Sequence, residues 1–484
     1  LIIADPEYKT GINSFDVSAE IGVYGEFLVF ETKKKIKNGS YNIWSRGENG
    51  YKDNVEHSNG GGGRAWNRGE KDDLFVLKNY SPLSNSENKI STVEKYDNGN
   101  LNGFTLNVEA SKNAAPVMAS NGKHAMSVYS SQQNMDGAEN SYAKLYYSIY
   151  ENGEWTDGIS VDDTVCNEMN PQIVNNGDDY YILYQESQFD YSQFDQYDNL
   201  ADEEKDELIR NYAKSIELHM KKYNMSTKTF IDCGILQTKD EYDYGAEIEL
   251  LNGVPYICWL KNSNGDVFGT DKNTETDIMT AKYTSGQWKT NCIKTTKKLV
   301  TQLEIGNYAK GITYSYTEDE DKNVDTDKDV NTYIYKDNEE KCIYSNRIDA
   351  IKYSKASDGN NGNFYLLSGN CIYQYNPESD IKEVANGINC FNNEFYVVGS
   401  TLYYAALSDG CSELFRAEKN GEGVFSNPIK ISDNKKWIRN ITVSNLESKD
   451  TVLCLAEDFD AESENVDSQI MIYQIGEYMD MQID

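Results

Sequence analysis

The chain has 484 residues, 38% of them hydrophobic and 12% aromatic, a composition that argues against overall disorder and suits β-strands. Its 46 basic and 79 acidic residues give a formal net charge of −33, so we expect no nucleic-acid partner and no docking on anionic membranes. No apolar run approaches the roughly 18 residues that a membrane-spanning helix needs, so we also expect no direct membrane insertion.

The first hundred residues hold two faint strand-like units and one unusual loop. In this loop, residues 60–68, four consecutive glycines precede Arg64, Trp66 and Arg68. Glycine lets the backbone approach a ligand closely, arginine can grip an anionic group, and tryptophan can stack on a sugar ring. These three side chains are therefore candidate ligand-binding residues. The alternative is a surface loop that leads into a strand.

A strand-turn-strand unit recurs through the middle of the chain. Its opening hairpin appears three times, at 116–129, 171–184 and 247–260, and each copy contains an Asn-Gly pair. Asn-Gly accepts the positive φ angles of a tight hairpin turn, so each copy predicts two adjacent antiparallel strands. The phrase Tyr150–Trp155 recurs as Tyr283–Trp288 and predicts a second kind of hairpin with a packing tryptophan.

Residues 187–215 break this repeat with an aromatic and helical insertion. Four rings lie close together in the sequence, and acidic residues then open a segment with a partial apolar stripe, which predicts a short helix over 199–215. Clustered aromatics mark interfaces when they are exposed. The candidate ligand-contacting rings are Phe189, Tyr191, Phe194 and Tyr197. The alternative is that these rings pack the helix onto its own unit.

An acidic loop follows at 319–329, where carboxylates alternate along the chain. Oxygen ligands at alternate positions suit Ca²⁺, and calcium is the one cofactor that the sequence raises. Val324 replaces the glycine that an EF-hand requires, so this is not an EF-hand. The alternative is a solvated hairpin loop. The candidate calcium ligands are Asp319, Asp321, Asn323 and Asp325.

The whole series predicts one all-β domain over residues 1–484. A meander repeated this often must hide its strand edges, and radial closure does so. We therefore expect a single β-propeller of about eight four-stranded blades, within a range of seven to nine, with one helical insertion at 187–215. Residues 1–3 are a candidate strand that latches the ring.

The repeat phrases Leu145–Trp155 and Asn370–Asn376 resemble those of bacterial extracellular β-propeller repeat proteins. This resemblance is architectural, and it implies a bacterial protein that is exported or displayed at the cell surface. Propellers of this kind serve as binding modules, parts of adhesins or glycan-active enzymes. The chain begins at Leu1 rather than Met, so we expect it to be part of a longer polypeptide.

No catalytic signature is evident in the sequence. The Asp-box frame of sialidases is missing, and nucleophile elbows, P-loops and metal-like Cys/His spacings are absent as well. With 79 acidic residues, the sequence cannot select a catalytic pair of carboxylates. His124 and His219 fall in strand-like runs, which favours structural roles.

We therefore expect a non-catalytic binding module that recognises a glycan or protein ligand on one propeller face. Two alternatives remain open. One is a glycan-active hydrolase or lyase with carboxylates at the central channel. The other is a structural component of a cell-surface assembly. Convergence of two or more carboxylates and an aromatic ring at the channel would favour the enzyme.

Overall fold

The fold is known from a computed structural model. It describes residues 14–17, 20–27, 30–38, 41–47, 50–53 and 94–97 only as strand backbone, and then most of residues 102–475. Within that range the gaps are 111–113, 135–140, 165, 190–192, 194–199, 237–239, 268–270, 272, 321, 323–328, 355–361, 389, 409–410, 433–436 and 461–464. No helix in the described part of the chain is long and apolar enough to cross a bilayer.

The N-terminal strands form two small sheets and the outer part of a larger one. They are β1 (Ser14–Val17), β2 (Glu20–Phe27), β3 (Phe30–Asn38), β4 (Tyr41–Gly47), β5 (Gly50–Asp53), β6 (Glu94–Asp97) and β7 (Asn102–Ala110). β1, β4 and β5 pair in one sheet and β2 pairs with β3 in another, whereas β7 and β6 extend the last sheet of the chain.

Six antiparallel sheets then follow one another along the chain, and we call them blades 1 to 6. Blade 1 comprises β8 (Val117–Ser120), β9 (Ala125–Asn134), β10 (Ser141–Glu151), β11 (Glu154–Trp155) and β12 (Ile159–Ser160). Blade 2 comprises β13 (Asn167–Asn176), β14 (Asp179–Ser187), β15 (Ile216–Asn224) and β16 (Thr229–Ile235), with helix α1 (Asp202–Ala213) between β14 and β15. Blade 3 comprises β17 (Tyr242–Leu251), β18 (Val254–Asn262), β19 (Thr276–Thr284) and β20 (Gln287–Thr296).

The remaining blades complete the ring. Blade 4 comprises β21 (Leu299–Tyr308), β22 (Gly311–Asp319), β23 (Val330–Lys336) and β24 (Glu339–Tyr344). Blade 5 comprises β25 (Ala350–Ser354), β26 (Asn363–Ser368), β27 (Cys371–Tyr375) and β28 (Lys382–Asn386), and blade 6 comprises β29 (Cys390–Val398), β30 (Thr401–Ser408), β31 (Cys411–Lys419) and β32 (Phe425–Lys430). Blade 7 comprises β33 (Trp437–Leu446), β34 (Lys449–Asp460) and β35 (Asn465–Ile475), followed in the sheet by β7 and β6.

The molecule is therefore a seven-bladed β-propeller. The first strand of each blade contacts the first strand of the next, and β33 of blade 7 contacts β8 of blade 1, which closes the inner ring. A bridge between Gly122 and Leu446 reinforces this junction, and the Glu447 N–H donates to the Gly122 carbonyl at 2.8 Å. The all-β propeller prediction is confirmed, and the count of seven lies at the lower end of the expected range.

The count is seven rather than eight because the N-terminal strands do not make blades of the ring. Strands β1 to β5 pair among themselves, and β7 joins blade 7 as an outer strand antiparallel to β35. There Phe104 lies opposite Ile472, and both side chains are buried in one core cluster. The strand Asn102–Ala110 thus adds to the outer side of the last blade. The proposed latch at residues 1–3 lies outside the described residues.

The two hairpins that end in tryptophan are confirmed as scaffold. Tyr150 pairs with Trp155 and Tyr283 pairs with Trp288, and the ring centroids are 5.5 and 4.8 Å apart. Among the Asn-Gly pairs, Asn252 and Gly253 both have positive φ and form the predicted two-residue turn. Near residue 121 the connection instead has four residues, and Asn121 accepts the N–H groups of residues 123 and 124.

Helix α1 packs on the propeller through the predicted apolar stripe. Leu208 and Tyr212 are buried in a core cluster, with Leu200 and Ile209 partly buried against it. The helix begins after Ala201, whose N–H donates to the Glu204 carboxylate at 2.9 Å. Leu208 and Tyr212 share this cluster with Tyr244, Leu260 and Val300, all of which also line the central channel.

Candidate functional site: the central channel

The seven inner strands surround a cavity of about 480 Å³ at the centre of the ring. Each inner strand contributes lining residues, from Val117 of β8 to Thr442 of β33. Side chains alternate between the two faces of a strand, so every second residue of an inner strand points toward this space. The volume falls in the range of small-molecule sites. The channel is therefore a candidate ligand site.

Charged residues occupy one side of this channel. They lie on four consecutive inner strands: β17, β21, β25 and β29. We call them, with one tyrosine, the channel cluster, which consists of Glu247, Glu249, Glu304, Lys352, Glu394 and Tyr396. The other side, on β33, β8 and β13, is neutral and carries residues such as Thr442, Ser444 and Gln172.

The cluster members perturb one another electrostatically. Burial, with Glu247 nearby, raises the pKa of the Glu304 carboxyl well above its ordinary value. Burial alone would lower the pKa of Lys352, but Glu247, Glu304 and Glu394 together raise it. Burial also raises the pKa of Tyr396 to about 12. At neutral pH the channel therefore holds a charged ammonium beside a carboxyl that retains its proton more readily than usual.

Glu304 and Lys352 both line this cavity, and each affects the pKa of the other although no direct ion pair joins them. Glu304 is only 8% exposed, and its Oε1 accepts the Ile305 N–H at 3.2 Å. Within the described part of the chain, no residue donates a hydrogen bond to Glu304 Oε2 or accepts one from Lys352 Nζ. Glu394 is tied to the neighbouring blade, because its Oε2 accepts the Ile441 N–H of β33 at 3.2 Å.

A tyrosine wedge holds the strands that carry Glu304 and Lys352. Tyr353 donates a hydrogen bond to the Asn307 carbonyl at 2.7 Å, and its ring lies against Gly306 and Gly362. A Cβ atom at position 306 would lie 2.3 Å from the ring, and one at position 362 would lie 2.1 Å from its hydroxyl. Only glycine permits this approach. The wedge therefore fixes β25 against β21 beside the charged residues.

A second charged cluster lies between blades 1 and 2, and we call it the interblade cluster. Its members are Lys144, Asp162, Glu168, Glu186, His219, Lys221 and Asp232. Lys144 is 2% exposed and contacts Asp162 at 3.0 Å and Glu168 at 3.4 Å, while Lys221 pairs with the same Asp162. Asp162 thereby joins a lysine of blade 1 to a lysine of blade 2.

His219 completes the interblade cluster. Its Nδ1 lies 3.0 Å from Glu186 and its Nε2 lies 2.9 Å from Asp232. Burial would lower the pKa of His219, but these two carboxylates raise it, and His219 in turn lowers the pKa of Glu186 against the effect of burial. Each charge meets an opposite charge, so we interpret this cluster as structural.

The interblade cluster also contains the one metal-like arrangement in the described residues. Atoms of Cys166, Glu168 and Glu186 lie within 4.8 Å of one another, and all three residues are buried. Burial raises the pKa of the Cys166 thiol to about 12. Lys144 and His219 already neutralise the two carboxylates, and Cys166 contacts the Thr164 hydroxyl at 3.2 Å. These partners favour a protein-only network over a metal centre.

Most residues predicted from the sequence as site residues lie outside the described residues. These are Arg64, Trp66, Arg68, Tyr191, Phe194, Tyr197, Asp321, Asn323 and Asp325. Phe189 is described, and it packs edge-on against Tyr212 of the helix with ring centroids 5.4 Å apart. Asp319 is also described, and it is fully buried at the end of β22 opposite Leu299 and Val330. Neither residue lines the channel.

The described parts of the two segments that interrupt the repeat both contact the same loop of blade 3. Arg210 of the helix donates to the Asn264 carbonyl at 3.2 Å. Lys322 of the acidic loop donates to the Asp271 carbonyl at 2.7 Å. The helical segment joins the second and third strands of blade 2, and the acidic loop joins the second and third strands of blade 4. Both segments therefore leave the ring at the same face. Loops of blades 2, 3 and 4 are thereby linked side by side.

Comparisons with known proteins find similar structures but no family. No protein-family model and no curated protein matches the chain. The chain is structurally similar to an acylaminoacyl peptidase of Pyrococcus horikoshii, with 13% identity and a TM-score of 0.43 over 75% of this chain and 52% of that one. It is also similar to a sialidase of Trypanosoma rangeli, with 10% identity and a TM-score of 0.41 over 80% and 58%.

A third similar structure is TolB of Acinetobacter baumannii, with 14% identity and a TM-score of 0.28 over 52% of this chain and 65% of that one. The chain spans only 52% and 58% of the length of the peptidase and the sialidase. None of these comparisons identifies a bacterial extracellular repeat family. At such identities and TM-scores they establish no shared activity, so functional arguments must come from the channel itself.

Proposed function

We propose that this propeller binds a small carbohydrate, or the end of a glycan chain, in its central channel. One observation carries the proposal: Glu304 and Lys352 line a common cavity, and no direct ion pair joins them. A carboxyl and an ammonium withdrawn from bulk water are costly unless a ligand or solvent satisfies them. The channel is thus suited to a ligand that can contact both groups.

Sugar hydroxyls match these two groups chemically. A hydroxyl accepts a hydrogen bond from an ammonium and donates one to a carboxylate, and neighbouring hydroxyls on a ring do both at once. The neutral side of the channel adds hydroxyl and amide groups from Thr442, Ser444 and Gln172. Tyr396 offers a ring beside the charges. Export to a bacterial cell surface is part of this proposal and is supported by the resemblance of the repeat phrases.

Binding of a panel of oligosaccharides to the intact chain, measured on an array and then by calorimetry, tests the proposal. We expect the variants Glu304→Gln and Lys352→Met each to weaken binding by at least about tenfold, since the first removes an acceptor oxygen and the second removes the ammonium that would contact the sugar hydroxyls. The matched control is Glu339→Gln, at an exposed position on β24. If no sugar binds, or if the control weakens binding as much, the proposal is wrong.

A second function is favoured by the raised pKa of the Glu304 carboxyl beside Glu247. Glycoside hydrolysis uses one protonated carboxyl as general acid and one ionised carboxylate as base or nucleophile, and a pair with divergent pKa values provides both. Glu304 would be the acid and Glu247 its partner. Four carboxylates and Tyr396 line the channel. Several carboxylates beside an aromatic ring at the channel favour an enzyme.

Release of reducing sugar separates the two functions. A hydrolase would release reducing ends from a bound oligosaccharide, and Glu304→Gln would abolish release while binding persisted. A binding module would leave the oligosaccharide intact after prolonged incubation. Retained activity in both Glu304→Gln and Glu247→Gln would exclude these two carboxyls as the catalytic pair.

A further inference from the structure

Two lysines at the junction of blades 5 and 6 contact no carboxylate among the described residues. Lys419 ends β31 and is only partly exposed, and its Nζ donates to the Tyr365 hydroxyl at 3.0 Å and to Gln374 Oε1 at 2.7 Å. Both acceptors are neutral. Lys382 begins β28 and is exposed, and its Nζ donates to the backbone carbonyl of Glu422 at 3.1 Å. Neither ammonium therefore has a counterion in the described part of the chain.

Two contacts place these ammonium groups near each other. Lys382 lies opposite Gln374 in the pairing of β27 with β28, and Gln374 is a side chain that accepts a hydrogen bond from Lys419. Lys382 also reaches the turn that follows Lys419, where its Nζ would lie 3.8 Å from a Cβ atom at position 423. Burial lowers the pKa of Lys419, and the Lys382 ammonium lowers it further, as expected for neighbouring like charges.

Lys419 is held in place by buried groups. Its Nζ lies 5.2 Å from the centre of the Tyr365 ring and 5.0 Å from that of the Phe425 ring, and both rings are buried. Ring faces attract a cation, so they help Lys419 to keep its charge at this partly buried position. Gln374 is fixed in turn, because its Nε2 donates to Asn363 Oδ1 at 3.0 Å. An ammonium has three donors, and the third donor of Lys419 has no partner among the described residues.

Acidic residues adjacent to these lysines in the sequence have other partners. Glu418 pairs with Arg416, and Glu383 accepts a hydrogen bond from Asn386 at 3.0 Å. The lysines of the interblade cluster, in contrast, both contact Asp162. Most charged lysines of a chain with a formal charge of −33 have carboxylates to choose from. Two neighbouring ammonium groups that contact none are suited to an anion from solution.

We propose that Lys419 and Lys382 form a binding site for a tetrahedral oxyanion, a phosphate or sulfate group that arrives as the free ion or as a monoester. The oxygens of such a group accept hydrogen bonds from both ammonium groups, and lysine binds phosphate as a point charge. Third and fourth strands of their blades carry the two lysines, whereas the inner strands line the channel. The site is therefore independent of the carbohydrate function proposed for the channel.

Titration of the intact chain with inorganic phosphate, sulfate and glycerol 3-phosphate tests the proposal, with sodium chloride at equal ionic strength as the reference. Binding is measured by calorimetry and by the rise in melting temperature, because a ligand that binds only the folded state stabilises it. We expect at least one of the three oxyanions to raise the melting temperature above the chloride reference. Lys419→Met and Lys382→Met should each weaken its binding by at least about tenfold.

The matched control is Lys289→Met, at an exposed position on β20 of blade 3, and it should leave oxyanion binding unchanged. Lys382 is exposed, so a loss of binding in Lys382→Met does not result from unfolding, and a thermal melt of the variant without anion checks this. Binding of glycerol 3-phosphate as tight as that of phosphate supports a site for monoesters, and a preference for the free ions supports a site for inorganic anions. Stabilisation no greater than that by chloride, or equal weakening by Lys289→Met, would overturn the proposal.

Discussion

The molecule contains two clusters of buried charge that differ in how their charges are satisfied. In the interblade cluster, Lys144, Lys221 and His219 each contact a carboxylate directly. In the channel cluster, Lys352 and Glu304 face a cavity without pairing. Direct pairing joins blade 1 to blade 2, whereas the Lys352 ammonium and the Glu304 carboxyl remain available to a ligand. Burial and charge alone therefore do not mark a ligand site, because the interblade cluster has both and is satisfied by its own partners.

The largest effect should come from breaking the interblade cluster. Lys144→Met removes a 2% exposed ammonium and leaves Asp162 and Glu168 without it. Loss of one partner from a buried pair costs about 3–5 kcal/mol, so we expect a fall of that order in the free energy of unfolding, measured with denaturant. Lys228→Met, at an exposed pair with Glu151, is the control and should cost under about 1 kcal/mol. Equal effects would contradict the structural role.

The tyrosine wedge should give an intermediate effect. Gly306→Ala places a methyl group 2.3 Å from the Tyr353 ring and forces β21 and β25 apart. We expect a loss of about 1–3 kcal/mol in the free energy of unfolding and weaker sugar binding, because Lys352 and Glu304 move relative to each other. Gly421→Ala, where a methyl group meets no atom within 4 Å, is the matched control. Normal binding by Gly306→Ala would show that the wedge does not position the channel charges.

A smaller effect concerns pH. The pKa of His219 is raised in the folded state, so its contribution to stability is complete below its unfolded pKa and is lost as pH rises through the folded value. The pKa of Glu186 is lowered, so its contribution is lost as pH falls through its folded value. We expect maximal stability between these limits, measured as unfolding free energy against pH. His219→Gln should flatten the fall at higher pH, and an undiminished fall in this variant would contradict the assignment.

The smallest effect is expected for Glu304→Gln. The folded pKa of Glu304 is raised, so the ionised form is destabilised by burial and the group lowers stability as pH rises above its unfolded pKa. Neutral glutamine should therefore change the free energy of unfolding by less than about 1 kcal/mol at neutral pH, or increase it. A loss comparable to that in Lys144→Met would show that Glu304 is a structural residue.

Much of the fold could be predicted from local sequence. Tyr150–Trp155 and Tyr283–Trp288 are complete hairpins whose turn and packing residues are neighbours in the chain. The number of blades was harder, because it depends on the pairing of β7 with β35, strands separated by most of the chain. Strand propensity predicts the strands β1 to β5, but it does not predict that these strands pair only among themselves and form no blade of the ring.

The channel site could not be predicted for a similar reason. Glu247 and Glu249 were visible as alternating acids in an inner strand, which is a usable signal, but acidic residues are abundant in this chain. Glu304, Lys352 and Glu394 lie on three other blades and meet only when the ring closes. His219 was expected to be structural, and its contacts with Glu186 and Asp232 agree with that interpretation.

The most direct test is a crystal structure of the chain with a bound oligosaccharide that calorimetry has identified as a ligand. We predict density for the sugar in the central channel, with hydroxyls within hydrogen-bond distance of Lys352 Nζ and of the Glu304 carboxyl. A sugar bound only on the outer surface, with Lys352 paired directly to Glu304, would contradict the assignment of the channel as the functional site.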